Sequence, residues 1–161
     1  MRTLAAEIVE TLTGRGETIA VAESLTGGLL VAELITVPGA SLVVRGGVVA
    51  YATDLKARLL GVDGALLAQV GAVDAEVATQ MARGVRLRLG HGDEPTAFGL
   101  ATTGVAGPDP QDGQAPGTVF IAVATAAGES VRALRLDGDR EAIRRRVVSE
   151  SLLMLIETIA E

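Results

Sequence analysis

Leu4, Ile8, Val9 and Leu12 recur at helical spacing, and Gly14-Arg15-Gly16 closes the segment, so the chain opens on an amphipathic helix. Thr18 to Ala22 is a short apolar run that reads as a buried strand, and Leu29 to Leu34 regains helical spacing before Pro38-Gly39 stops it. A second strand is expected from Val43 to Tyr51, followed by a short helix from Leu55 to Leu60 that ends at Gly61. Asp74 to Arg88 carries the pattern of a long amphipathic helix that begins Asp-Ala-Glu. Apolar strands are expected at Thr96–Ala101, Gly117–Thr125 and, in alternating pattern, Ser130–Leu136, with a polar loop from Pro108 to Pro116 and a closing helix from Arg140 to Ile159. Strands alternating with helices predict one α/β domain over residues 1–161, a three-layer α/β/α sandwich around a mixed, largely parallel sheet. No internal repeat, low-complexity tract or linker interrupts it.

Composition narrows the packing and the chemistry. The hydrophobic share is 48% but aromatics are only 2%, so the core must be built from small and branched aliphatic side chains. Glycine, at 20 residues, is about twice its average usage of roughly 7% and points to tight turns and close backbone approaches. A formal charge of −6 repels nucleic-acid phosphate, so no nucleic-acid partner is expected. The absence of cysteine excludes disulfides, a thiolate nucleophile and a Cys-bound zinc. A multi-histidine metal site is excluded as well, because His91 is the one histidine and sits in a Gly-His-Gly-Asp turn; neither a metal nor a cofactor is expected. A Ser-His-Asp triad would have to use that same solvated residue. No apolar run reaches the roughly 18–20 residues of a membrane span, and the N-terminal helix carries Arg2, Glu7 and Glu10, unlike a signal peptide. A cytoplasmic protein without a membrane partner is expected. So many aliphatic positions also lead us to expect a homo-oligomer.

Two strand-to-loop junctions attract attention. Glu23-Ser24-Leu25-Thr26-Gly27-Gly28 lies between a strand end and a helix start, where open α/β sheets place ligands and where free N–H groups receive a phosphate or an oxyanion. Ser24 and Thr26 offer hydroxyls there, either to cap the helix or to react. Thr102-Thr103-Gly104-Val105-Ala106-Gly107-Pro108 has the same composition and the same expected position; it reads either as a glycine-rich turn or as the other wall of a pocket for a small phosphorylated molecule. Between them, Tyr51-Ala52-Thr53-Asp54-Leu55-Lys56 carries the only tyrosine and one of very few lysines in a chain that relies on arginine. Lysine loses its proton readily when desolvated, and with no thiol and no usable imidazole it is the remaining base for a serine. Otherwise it is a solvated charge at a helix start. Arg140 and Arg144 share a helical face behind Asp139, and Arg145 and Arg146 follow; an arginine here either clamps a phosphate or pairs with Glu141 and Glu150.

The segments AESLTGG (22–28), GGVVAYATDLKARLLGV (46–62), GAVDAEVATQMARGV (71–85), TTGVAGPDP (102–110), GTVFIAVAT (117–125) and GDREAIRRR (138–146) together resemble the CinA C-terminal domain, also called the nicotinamide mononucleotide deamidase family. The resemblance spans nearly the whole chain. It implies an α/β/α fold and an amidohydrolase that converts nicotinamide mononucleotide and water to nicotinate mononucleotide and ammonia, in pyridine-nucleotide recycling, without a metal. By position it implies Ser24 as nucleophile, Lys56 as base and Tyr51 as a site tyrosine. Thr26, Gly27, Gly28, Thr103 and Gly104 match the ligand-binding loops, and one of Arg140, Arg144 and Arg145 the phosphate contact. The chain departs from the pattern at Leu25, where cysteine is common, at Thr53, where asparagine is frequent, and at Ala115, where lysine is common. Larger relatives carry a further N-terminal domain, and this chain resembles the stand-alone form. Two other readings remain open: hydrolysis of a different nucleotide amide or a phosphate ester, and a non-catalytic nucleotide-binding or competence-related interaction module.

Overall fold

The computed structural model describes residues 2–161. Helix α1 (Leu4–Arg15) buries Ala5, Ile8, Val9 and Leu12, takes its first cap from the Thr3 side chain and ends at Gly16 in the left-handed conformation. Strand β1 (Ile19–Glu23), helix α2 (Leu29–Ile35), a 3-10 turn at Ala40–Leu42 and strand β2 (Val44–Val49) follow. Then come helices α3 (Thr53–Leu60), α4 (Gly64–Val70) and α5 (Ala75–Arg88), strands β3 (Phe98–Gly104), β4 (Thr118–Ala124) and β5 (Glu129–Arg135), and helix α6 (Arg140–Ala160).

Two segments differ from the sequence expectation. Helix α4 was not expected, because it buries only Leu67 and so has no apolar periodicity to show; Asp63 starts it by accepting the Ala65 N–H at 2.9 Å. Strand β3 runs further than the apolar run suggests. Thr102, Thr103 and Gly104 belong to the strand and pair with Ile121, Phe120 and Val119 of β4, rather than to a loop. β-branched threonines suit a pleated ladder, and both hydroxyls find buried partners.

The strand order is β2-β1-β3-β4-β5. Strand β1 is parallel to both β2 and β3, while β4 is antiparallel to β3 and to β5, so β4 alone is reversed in a mixed, largely parallel sheet. The two faces differ in kind. Ile19, Val21, Leu100, Val119, Ile121 and Val123 form one core with α1, α2 and α6. Ala20, Ala22, Ala101, Ala122 and Ala124 form the other with α3, α4 and α5. The first face gains about 1.5–3 kcal/mol per buried Val, Leu or Ile. The second trades side-chain bulk for proximity: a Cβ on Gly99 would lie 2.2 Å from the Ala82 carbonyl oxygen of α5, and one on Gly84 would lie 1.8 Å from that of Leu60. Neither position can carry a side chain.

The parallel run of β2, β1 and β3 positions the candidate site. Their carboxyl ends deliver Tyr51, Ser24 and Val105 to one end of the sheet. Among the described residues no helix is long and apolar enough to cross a membrane, and no group of three His, Asp or Glu side chains could hold a metal ion.

Candidate active site

At that end of the sheet lies a cavity of ≈ 560 Å³, bounded by Ser24 and Leu25, by Tyr51 to Thr53, by the 104–111 loop and by Arg140. Ser24 follows β1 directly and is 7% exposed; its N–H donates to the Thr102 carbonyl at 3.1 Å, which continues the β1–β3 ladder by one residue beyond the strand. Lys56, in the first turn of α3, is the chain's only lysine and is fully buried. Its Nζ lies 3.1 Å from Ser24 Oγ and donates to the Ala50 carbonyl at 2.7 Å. The expectation of a solvated helix-start charge therefore does not apply to it. Desolvation pushes Lys56 down from 10.5 to about 8, with Asp112 pulling in the opposite direction. A neutral amine in this place accepts the Ser24 O–H, which is the arrangement an activated hydroxyl needs.

The start of α2 holds a residue whose role the sequence reading missed. Glu23 is fully buried, and its carboxylate accepts the N–H groups of Gly28 and Leu30 on Oε2, at 3.0 and 3.1 Å, and that of Val31 on Oε1 at 2.8 Å. Glu23 thus serves the helix start, and neither Ser24 nor Thr26 caps it, contrary to one of the two expectations for those hydroxyls. The N–H groups expected to receive a phosphate are already occupied by the chain's own anion. The signal was an acidic residue inside an otherwise apolar strand, one position before the candidate nucleophile. Two amides of the same turn, those of Leu25 and Thr26, have no acceptor among the described residues. The first belongs to the residue after Ser24, in the cavity wall.

The remaining candidates separate into cavity and framework. Thr26 is buried with its hydroxyl 2.9 Å from that of Thr102, and Thr103 donates to the Ala72 carbonyl at 2.6 Å, so both hold loops together instead of facing the cavity. Gly27 and Gly28 take positive φ in the turn after Ser24 and lie outside the cavity lining, whereas Gly104 lines the cavity. Arg144 donates from Nε to the Leu25 carbonyl at 2.9 Å and from Nη2 to the Thr26 carbonyl at 3.1 Å, clamping the turn from α6. Arg145 is exposed and paired with Glu141 at 2.7 Å, which is the solvated alternative for that residue. Arg140 is the arginine that reaches the cavity. It donates from Nη1 to the Gly107 carbonyl at 2.8 Å and from Nη2 to the Tyr51 hydroxyl at 3.0 Å. Tyr51 is 60% exposed and lines the cavity, past the end of β2 at Val49 and so outside the strand that was expected to reach it. Thr53 also lines the mouth, and Ala115 lies outside the lining.

Comparison with known proteins gives this geometry a family. A "CinA-like protein" of Frankia casuarinae is 50% identical over 149 residues, covering 92% of this chain and 33% of the relative. A "putative competence-damage inducible protein" of a Geobacillus species is 45% identical over 159 residues, covering 98% of this chain and 37% of the relative. The chain thus spans about a third of the length of these curated relatives. The crystal structure of the competence/damage inducible protein CihA from Agrobacterium tumefaciens superposes with a TM-score of 0.90 at 35% identity, covering 98% of this chain and 94% of that one. A competence damage-inducible protein A from Klebsiella pneumoniae superposes with a TM-score of 0.91 at 30% identity, covering 98% and 96%. The CinA C-terminal domain family matches residues 1–159, and with these relatives and folds in agreement the chain belongs to that family.

Proposed function

We propose that this domain is an amidohydrolase that cleaves the carboxamide of nicotinamide mononucleotide, giving nicotinate mononucleotide and ammonia, with Ser24 as nucleophile and Lys56 as base. One observation carries the reading: the only lysine of the chain is fully buried with Nζ 3.1 Å from the Oγ of Ser24, and Ser24 lines a cavity of ≈ 560 Å³. A binding module has no use for a desolvated amine beside a hydroxyl.

In this mechanism neutral Lys56 takes the Ser24 proton as Oγ attacks the carboxamide carbon. The tetrahedral oxyanion is met by the Leu25 and Thr26 N–H groups, donors of a kind worth about 3–4 kcal/mol each in such a role. The lysine ammonium returns the proton to the departing nitrogen, the C–N bond breaks, and ammonia leaves an ester on Ser24. A water molecule, deprotonated by Lys56, attacks that ester; the Oγ–acyl bond breaks, the proton returns to Ser24, and the nicotinate is released. Arg140 receives the 5′-phosphate, and Tyr51, held by Arg140, borders the ring at the mouth.

The test is ammonia release from nicotinamide mononucleotide by purified wild type and Ser24→Ala. The variant is expected to lose about a thousandfold or more in kcat. Full turnover in the variant would remove Ser24 from its role. Binding without turnover in wild type, at high enzyme and long time, would favour a nucleotide-binding module instead.

A further inference from the structure

Among the described residues, the one charged side chain lining the cavity besides Arg140 is Asp109, which is exposed. Asp109 lies two residues beyond Gly107, whose carbonyl Arg140 holds, so the two charges sit on adjoining parts of one wall. Proximity of this kind usually ends in an ion pair. Here none is formed: among the described residues Asp109 has neither a salt bridge nor a side-chain hydrogen bond, and Arg140 spends two of its nitrogens on Gly107 and Tyr51. The cavity lining therefore carries a cation and an anion that are not paired with each other, each with bonding capacity left over.

A carboxylate in the same cavity lining as an anion-receiving arginine would repel a bare phosphate or a polyphosphate. It suits a ligand that brings hydroxyl hydrogens next to its phosphate. A ribose 5-phosphate unit does this, with two vicinal hydroxyls on the ring that carries the phosphate arm. An ionised carboxylate has two oxygens to accept that pair, the same chemistry by which an acidic residue reads ribose hydroxyls in dinucleotide-binding folds. We infer that Asp109 is a specificity-determining residue that accepts the 2′- and 3′-hydroxyls of the substrate ribose while Arg140 receives its 5′-phosphate, so that the cavity selects a ribonucleotide amide over a free or deoxy amide. This rests on the amidohydrolase reading for its reaction, but the subsite is tested apart from it.

The decisive comparison pairs a change in the protein with a change in the ligand. Ammonia release is measured for wild type and Asp109→Asn with nicotinamide mononucleotide and with its 2′,3′-dideoxy analogue. Asparagine keeps one acceptor and replaces the other with a donor. With the ribonucleotide, kcat/KM is expected to fall about 10- to 100-fold, the scale of hydrogen bonds to a charged group. With the dideoxy analogue it is expected to stay within about twofold. Equal losses on both substrates, or no loss on either, would overturn the assignment. Calorimetric binding of ribose 5-phosphate, which has no amide to cleave, separates the two proposals: wild type is expected to bind it and Asp109→Asn to bind it at least about tenfold more weakly. If wild type releases no ammonia from the mononucleotide yet this difference is seen, the reaction is wrong and the subsite stands. If ammonia is released and the difference is missing, the subsite is wrong and the reaction stands.

Discussion

Replacing Lys56 by methionine separates the chemistry proposed for the buried amine from what it does to the fold. The side chain is fully buried, and desolvation lowers its pKa from 10.5 to about 8. In the unfolded chain it titrates near the ordinary lysine value of about 10.4. Between pH 8 and 10.5 the unfolded state thus binds more protons than the native one, and wild-type stability rises with pH across that window. Below pH 8 the native state carries the whole handicap, about 3 kcal/mol at 1.36 kcal/mol per pKa unit. Methionine has nearly the same length and no charge to desolvate. It loses the bonds to Ala50 and Ser24, but that loss does not vary with pH. The stability of Lys56→Met minus that of wild type is therefore expected to be about 3 kcal/mol more favourable at pH 7 than at pH 10.5. For a chain of this size that is roughly 6–12 °C in relative Tm. Urea unfolding of both proteins at the two pH values measures it, and turnover by the variant should be lost throughout. A difference that does not change with pH would refute the reasoning, because it would mean that the native amine titrates as it does in water.

Glu23→Gln leaves one acceptor oxygen and sets an amide N–H₂ against a helix N–H, so we expect a loss of about 1–3 kcal/mol in urea unfolding together with a fall in kcat; a variant as stable as wild type would deny the carboxylate its role at α2. Arg140→Ala and Arg145→Ala form a matched pair on α6. The first is expected to raise KM for the mononucleotide about 10- to 100-fold. The second, which removes an exposed i,i+4 pair, should change KM within twofold and stability by no more than about 0.5 kcal/mol. A KM effect at Arg145 equal to that at Arg140 would show that the phosphate lies elsewhere.

Most of the layered fold was legible because its signals are periodic. The 3.6-residue spacing of Leu4, Ile8, Val9 and Leu12 and the unbroken burial of Ile19 to Glu23 follow from one stripe or two faces being removed from water. Where burial is slight the signal vanishes, as in α4 with Leu67 alone. The site was legible as a place, through hydroxyls and glycines at strand ends, and Lys56 stood out by the scarcity of its type. What sequence could not separate was the work of similar residues. Thr26 and Thr103 look as reactive as Ser24, yet their hydroxyls are taken by Thr102 and Ala72. Three arginines within one helical turn and a half meet a cavity, a pair of loop carbonyls and a surface glutamate, and only the tertiary placement of α6 decides which.

The burial of the one lysine has a practical side. The surface of this protein displays charge through guanidinium groups and carboxylates, with no side-chain amine among them. For an amine-directed electrophile the one side-chain amine of this sequence is Lys56, and it is buried next to Ser24. Each molecule labelled at Lys56 has opened its core or its cavity, so labelling at that residue counts openings directly. A ligand seated over Ser24 would slow labelling at Lys56.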